Sequence, residues 1–377
     1  MSYDLRSALG WITTIAVVVS VATYLLSLFL GAAIITSTPL GSTIGTLTGP
    51  LVVEAFLLIF LIPVETNALW LVVLSVIVFV ICFAKAATAN GGFISGLRSL
   101  LPGSRPKTLP NWLAMMPIVG SSLFVVVLAL ALLQSSVGVS TGSLNCPSGV
   151  SQSTCDAELF ASVVSAPVAE EIGFRITAIG LAIAILVAVK FGTDIAAGQN
   201  QPISRQVARF FIALIAPGYA KERSGLPSIR TSGLKGISVT EWVMLFFTSA
   251  VFGAYHILGG GGWGPGKFLT AALSGFALGI VYLAYGAFAD ILLHWFFNFY
   301  FIVFDDYSGL SGIFSSIGSP LIALGTLALG VWGIIIAIYW LSTWKTPATV
   351  QPSWGIPQYQ QPAPFQLARD SMHRPEV

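Results

Sequence analysis

Charge is what this sequence has least of. Only 8% of its 377 residues are Asp, Glu, Lys or Arg, while 55% are hydrophobic. Soluble proteins carry roughly 25% charged residues, so two or three soluble domains are excluded even though the length would allow them. The net charge of +2 is too small to point to nucleic acid as a partner. Histidine and cysteine are scarce as well, at three each, and no internal repeat is visible. What remains is a set of long apolar runs with 25 Phe, 10 Trp and 10 Tyr, as expected of side chains that face lipid and its interfaces. The chain reads as an all-α, polytopic membrane helix bundle.

A bilayer core needs about 20 apolar residues per helix. Trp11–Ile35, Trp112–Leu133, Ala157–Lys190 (with Pro167 as a possible kink), 238–258, 268–285, 287–304 and 319–343 meet that length. Residues 51–87 are apolar but interrupted by Pro63 and Glu65, and read as either one bent span or two short ones. Lys and Arg gather in the 85–110 and 190–237 loops and are missing from 134–156 and 305–318. The positive-inside rule therefore puts the first two loops in the cytoplasm. Eight spans then place both termini there, in a membrane expected to be a prokaryotic plasma membrane. Cys146 and Cys155 fall in an outside loop, where a disulfide persists; Cys82 reads as packing. Three regions are expected: 1–110 with the first helices and loop, a core over 111–343, and a disordered Pro/Gln-rich tail over 344–377. RQVARFFIALIAPG, within 190–237, fits an amphipathic helix on the inner membrane face.

Ionisable residues inside spans are costly and mark cavities or partners. Glu54 stands alone in an apolar stretch and reads as a protonated or interfacial acid. Glu171 and Arg175 are four residues apart and share a helix face, so they pair; Glu170 is turned about 100° away and faces something else. A carboxylate without a cation in a low-dielectric site suits general acid–base work. The alternative is one ion network holding helices together. Phe252 and His256 share a face near the end of a helix that opens with the capping box Ser238–Glu241. Asp290, His294 and Asn298 follow one another at one-turn spacing. Asp290 either holds His294 in one tautomer or lies near the inner surface.

Three of these segments carry recognisable spacing. Glu170-Glu171-Ile172-Gly173-Phe174-Arg175 reads as EExxxR, Phe252 to His256 as FxxxH, and His294 to Asn298 as HxxxN, in that order on successive spans. Together they resemble the CPBP (ABI) family of intramembrane proteases, which includes the type II CAAX prenyl endopeptidases, over about residues 157–304. The resemblance implies eight membrane helices enclosing a catalytic cavity. It implies Glu170 as the residue that activates water, His256 assisting, His294 and Asn298 stabilising the oxyanion, and Glu171 and Arg175 in support. It also implies a membrane-associated peptide substrate, possibly a C-terminal prenyl-cysteine peptide, with membrane lipid as the other partner. A metal-free reaction is favoured. Glu170, His256 and His294 would nevertheless make a two-His, one-Glu zinc set, leaving Asp290 or Glu171 as base. Two rivals remain: a transporter or proton pathway, since such residues also mark relays, and a non-catalytic peptide-binding or immunity relative.

Overall fold

The structure is a computed structural model that describes residues 3–101, 109–142, 146, 149–198, 202–259, 262–308 and 312–343. The expected tail over 344–377 lies outside the described residues. The chain divides into a body, Met1–Ile335, and a C-terminal unit, Ile336–Val377. Two N-terminal helices, α1 (Tyr3–Ser37) and α2 (Pro39–Thr46), precede a hairpin of β1 (Thr48–Ala55) and β2 (Leu58–Asn67). Then follow α3 (Ala68–Thr88), α4 (Phe93–Ser99), α5 (Trp112–Ser136) and α6 (Gln152–Glu171), which runs through a π-helical stretch, Ile172–Gly180, into α7 (Leu181–Ala196). The short α8 (Ile203–Ile215), α9 (Pro217–Arg223) and α10 (Ile229–Ser232) lead to α11 (Val239–Leu258) and α12 (Gly266–Tyr285). The last part holds α13 (Ala287–Trp295), a second π stretch (Phe296–Tyr300), α14 (Phe301–Ser308) and α15 (Gly312–Thr343).

Among the described residues, eight helices are long and apolar enough to cross a membrane, and the protein is an integral, multi-pass membrane protein. The interrupted 51–87 run resolves in a way the apolar pattern did not show. It crosses once, as α3, and its first part is an antiparallel hairpin. Register runs from Thr48 opposite Asn67 to Ala55 opposite Leu58 and slips between Pro50 and Leu51, opposite Pro63 and Val64. Pro63 thus sits at a bulge, where its missing N–H leaves no gap in the ladder. Asn67 then starts α3 by accepting from the Leu69 amide at 2.8 Å. Cys146 and Cys155 are joined by a disulfide, and the stretch proposed as amphipathic is helical as α8.

Polar side chains fix the helix ends on one another. Asn111 caps α5 through the Leu113 amide, and its Nδ2 donates to the Ala86 and Ala89 carbonyls at the end of α3 (2.6 and 2.7 Å). The capping box of α11 forms as its sequence requires, with Ser238 N donating to Glu241 at 2.6 Å. The buried Lys221 ammonium donates to the same carboxylate at 2.6 Å. The core packs α13 against α1, α3 and α6 through Tyr24, Phe79, Phe160, Trp295 and Phe296. Two long-range bonds set its register: Tyr24 donates to the Leu292 carbonyl at 2.7 Å, and the Trp295 indole donates to the Val164 carbonyl at 2.8 Å. The second bond fixes α13 beside α6, and with it the residue next to Trp295, His294.

Candidate active site

The EExxxR segment straddles a change of helical form. Glu170 and Glu171 end α6, and Arg175 lies in the π stretch that follows. Such wide turns are frequent at functional sites. Arg175 is 1% exposed and Glu171 is completely buried. Their side chains pair at 3.1 Å (Nη1 to Oε1), and Nη2 donates to the Gly275 carbonyl of α12 at 3.0 Å. The guanidinium also stacks 4.6 Å over the Phe252 ring of α11. The i, i+4 pairing read from spacing is present, and it extends to two further helices.

His294 comes to this pair from α13. Its Nδ1 lies 2.6 Å from Glu171 Oε1, and its Nε2 lies 3.5 Å from Glu170 Oε2. A carboxylate accepts, so Nδ1 carries the hydrogen and Nε2 is the atom turned to Glu170. Glu170 Oε2 makes no hydrogen bond among the described residues. This corrects the reading of Asp290 as the residue that sets the His294 tautomer: Glu171 does so. Asp290 itself is fully buried and faces Glu171.

His256, two residues before the end of α11, donates from Nδ1 to its own helix's Phe252 carbonyl at 2.9 Å. With a carbonyl there, Nδ1 must hold the hydrogen and Nε2 is left free. The Phe252 ring stands beside both imidazoles, with centroids 4.7 Å from His256 and 6.0 Å from His294. Phe252, Arg175 and the two histidines therefore pack as one group, a role for the Phe of FxxxH that its spacing did not reveal. Asn298 lies one turn beyond His294, half-buried in the second π stretch. Among the described residues no three His, Cys, Asp or Glu side chains converge as metal ligands. In both histidines Nδ1 is the bonded nitrogen, held by the Phe252 carbonyl or by Glu171, an arrangement shared by metal-ligating and proton-transferring imidazoles.

Two further residues join the site. Lys267, in the first turn of α12, lies 3.9 Å over the Trp263 ring and within electrostatic reach of Glu170. Glu54 arrives on the hairpin, 8% exposed, and accepts from the Tyr255 hydroxyl at 3.2 Å. Burial pushes its carboxyl up to about 7, with Glu170 acting in the same direction. Glu54, Leu57, Leu58, Ile59, Gly173, Phe174 and Tyr255 line a small cleft between hairpin and helix. A lone acid in an apolar run was the available signal for Glu54; nothing near it in sequence pointed to Tyr255.

Residues 157–300 match the family described as type II CAAX prenyl endopeptidase Rce1-like. No curated protein and no solved structure matches the chain.

Proposed function

We propose that this membrane protein, whose residues 157–300 match the family described as type II CAAX prenyl endopeptidase Rce1-like, hydrolyses a peptide bond of a membrane-associated substrate with a water activated by Glu170. The observation that carries the reading is the bridge made by His294. One imidazole binds Glu171 at 2.6 Å and turns its other nitrogen to Glu170, whose Oε2 is without a hydrogen bond among the described residues. A water between Glu170 and a substrate carbonyl gives up its proton to Glu170 as it attacks. The carbonyl oxygen becomes an oxyanion that needs donors, and His294 Nε2 and the Asn298 amide supply them from one face of the same helix.

His294 donates from both nitrogens only as an imidazolium, and Glu171 is the counter-charge for that form. Glu171 in turn is held by Arg175, which is why a second acid and a base accompany the working one. His256, its Nδ1 held by the Phe252 carbonyl, assists through Nε2. The natural substrate under this reading is a peptide whose lipid or apolar part lies in the bilayer, a C-terminal prenyl-cysteine peptide being one such class. Both termini are assigned to the cytoplasm on the charge distribution of the loops.

The test gives purified protein fluorogenic prenylated and unprenylated peptides, beside Glu170→Ala and His294→Ala. Wild-type cleavage lost in both variants and insensitive to a strong chelator is the expected result. Cleavage that persists in Glu170→Ala overturns the mechanism. Absence of cleavage, together with dissipation of a pH gradient in liposomes, would instead favour a proton pathway.

A further inference from the structure

The mechanism above leaves one buried acid unused. Glu54 belongs to β1, outside the segment that matches the family, yet its side chain lies against the motif itself. A methyl group on Gly173 would sit 2.9 Å from Glu54 Cβ and 3.3 Å from its Oε2. Gly173 is three residues after Glu170, at the junction of α6 and the π stretch, and Glu170 is among the charges that act on Glu54. Glu54 therefore occupies the space beside Glu170, which the absence of a side chain at Gly173 leaves open.

The hairpin is tied there by its turn. Phe56 and Leu57 both have positive φ, 53° and 65°, in the left-handed region that costs non-glycine residues about 1–2 kcal/mol each. Their amides explain why the conformation holds. Phe56 N donates to the Thr177 hydroxyl at 2.7 Å, and Leu57 N donates to the Gly173 carbonyl at 3.3 Å. The Thr177 hydroxyl donates in turn to the Ile172 and Gly173 carbonyls, at 2.8 and 3.0 Å. The π stretch and a strained turn are thus interlocked at the one place that brings a third carboxylate to Glu170. Anchoring alone would not need an acid, because the turn amides already make the attachment. The groups that face Glu54 are Glu170 and Glu171 from α6, Tyr255 from α11 and His294 from α13.

We infer that Glu54 is the general acid of the reaction, delivering a proton to the leaving amine while Glu170 receives one from water. The proposal rests on the peptidase reading given above. Water attacks the carbonyl carbon and its proton passes to Glu170. The tetrahedral intermediate then collapses, the C–N bond breaks, and the nitrogen takes the proton of the Glu54 carboxyl as it leaves. Glu170 is now protonated and Glu54 ionised, and transfer of that proton from Glu170 to its neighbour restores both. No further reactant is required.

An amine leaves only with a proton, whereas a p-nitrophenolate leaves without one. The experiment compares a peptide amide with the p-nitrophenyl ester of the same acyl peptide, using wild type, Glu54→Gln and Glu170→Gln. Glutamine at position 54 retains an acceptor for Tyr255. Glu54→Gln should lower kcat on the amide by about 100-fold or more and change the ester rate by less than about threefold; Glu170→Gln should lose both. An equal loss on amide and ester assigns Glu54 a structural role and overturns the proposal, as does an unchanged amide rate. If Glu170→Gln keeps wild-type amide cleavage, the peptidase reading itself falls and the proposal with it.

Discussion

His294 Nδ1 lies 2.6 Å from Glu171 Oε1, across 123 residues of sequence and two packed helices. The bond makes Glu171 a shared anion, held by Arg175 on its own helix and by His294 on another. Removing the anion leaves a buried guanidinium without a counter-charge, which costs about 3–5 kcal/mol in buried pairs. Glu171→Gln should therefore lower thermal stability in detergent far more than Glu170→Gln. Adding Arg175→Met to Glu171→Gln should restore part of that loss, since the double variant buries no unpaired charge.

Glu170 separates from its neighbour by the opposite pattern. Its Oε2 has no hydrogen bond among the described residues, so Glu170→Gln removes little that holds the fold. We expect a melting temperature within a few degrees of wild type and peptide cleavage reduced by about 100-fold or more. A variant that melts early and cleaves in proportion to its folded fraction would contradict the assignment.

The Glu54 carboxyl, raised from 4.5 to about 7, links hairpin docking to pH. A raised carboxyl binds more protons folded than unfolded, so its contribution is complete below about pH 4.5 and is lost as pH rises to about 7. The shift corresponds to up to about 3 kcal/mol. Unfolding of wild type and Glu54→Gln compared between pH 5 and 8 should show wild type losing ground to the variant as pH rises. Parallel pH profiles would mean that the carboxyl is not shifted.

Gly173 allows the hairpin its close approach. An added methyl would meet Glu54 Cβ at 2.9 Å, within van der Waals contact. Gly173→Ala should displace the turn, expose the Phe56 and Leu57 amides to hydrogen exchange, and reduce cleavage without abolishing it. Unchanged exchange at those amides would show that the tip tolerates the methyl.

Trp295→Phe tests the register bond. It keeps an aromatic ring in the core but removes the donor to the Val164 carbonyl, a loss of about 1–2 kcal/mol with the carbonyl left buried. Activity should fall further than stability explains, because the residue before it is His294.

The helices and most of the motif residues were readable because both depend on local spacing. Apolar length marked the spans, and the i, i+4 rule paired Glu171 with Arg175. What did not show is whatever depends on distant chain. His294 meets Glu171 on another helix, and α13 is held there by the bonds of Trp295 and Tyr24 to chain far away in sequence. The hairpin was hidden for a different reason. Nearly all of β2 is exposed on both faces, so the alternation that marks a strand is missing. Its turn is Phe56-Leu57, where a two-residue turn with both φ positive ordinarily calls for Asn-Gly. The compensating partners, Thr177 and Gly173, stand more than a hundred residues further on.

That separation has a consequence for how the molecule is made. The Phe56 amide and the Thr177 hydroxyl are 121 residues apart. At about 5–20 residues per second of synthesis, the hairpin waits on the order of ten seconds before its dock exists. During that interval its turn has no support and Glu54 has no partner on α11. The hairpin is thus synthesised well before the helix that holds its turn, and Glu54 waits longer still for Tyr255, 201 residues away.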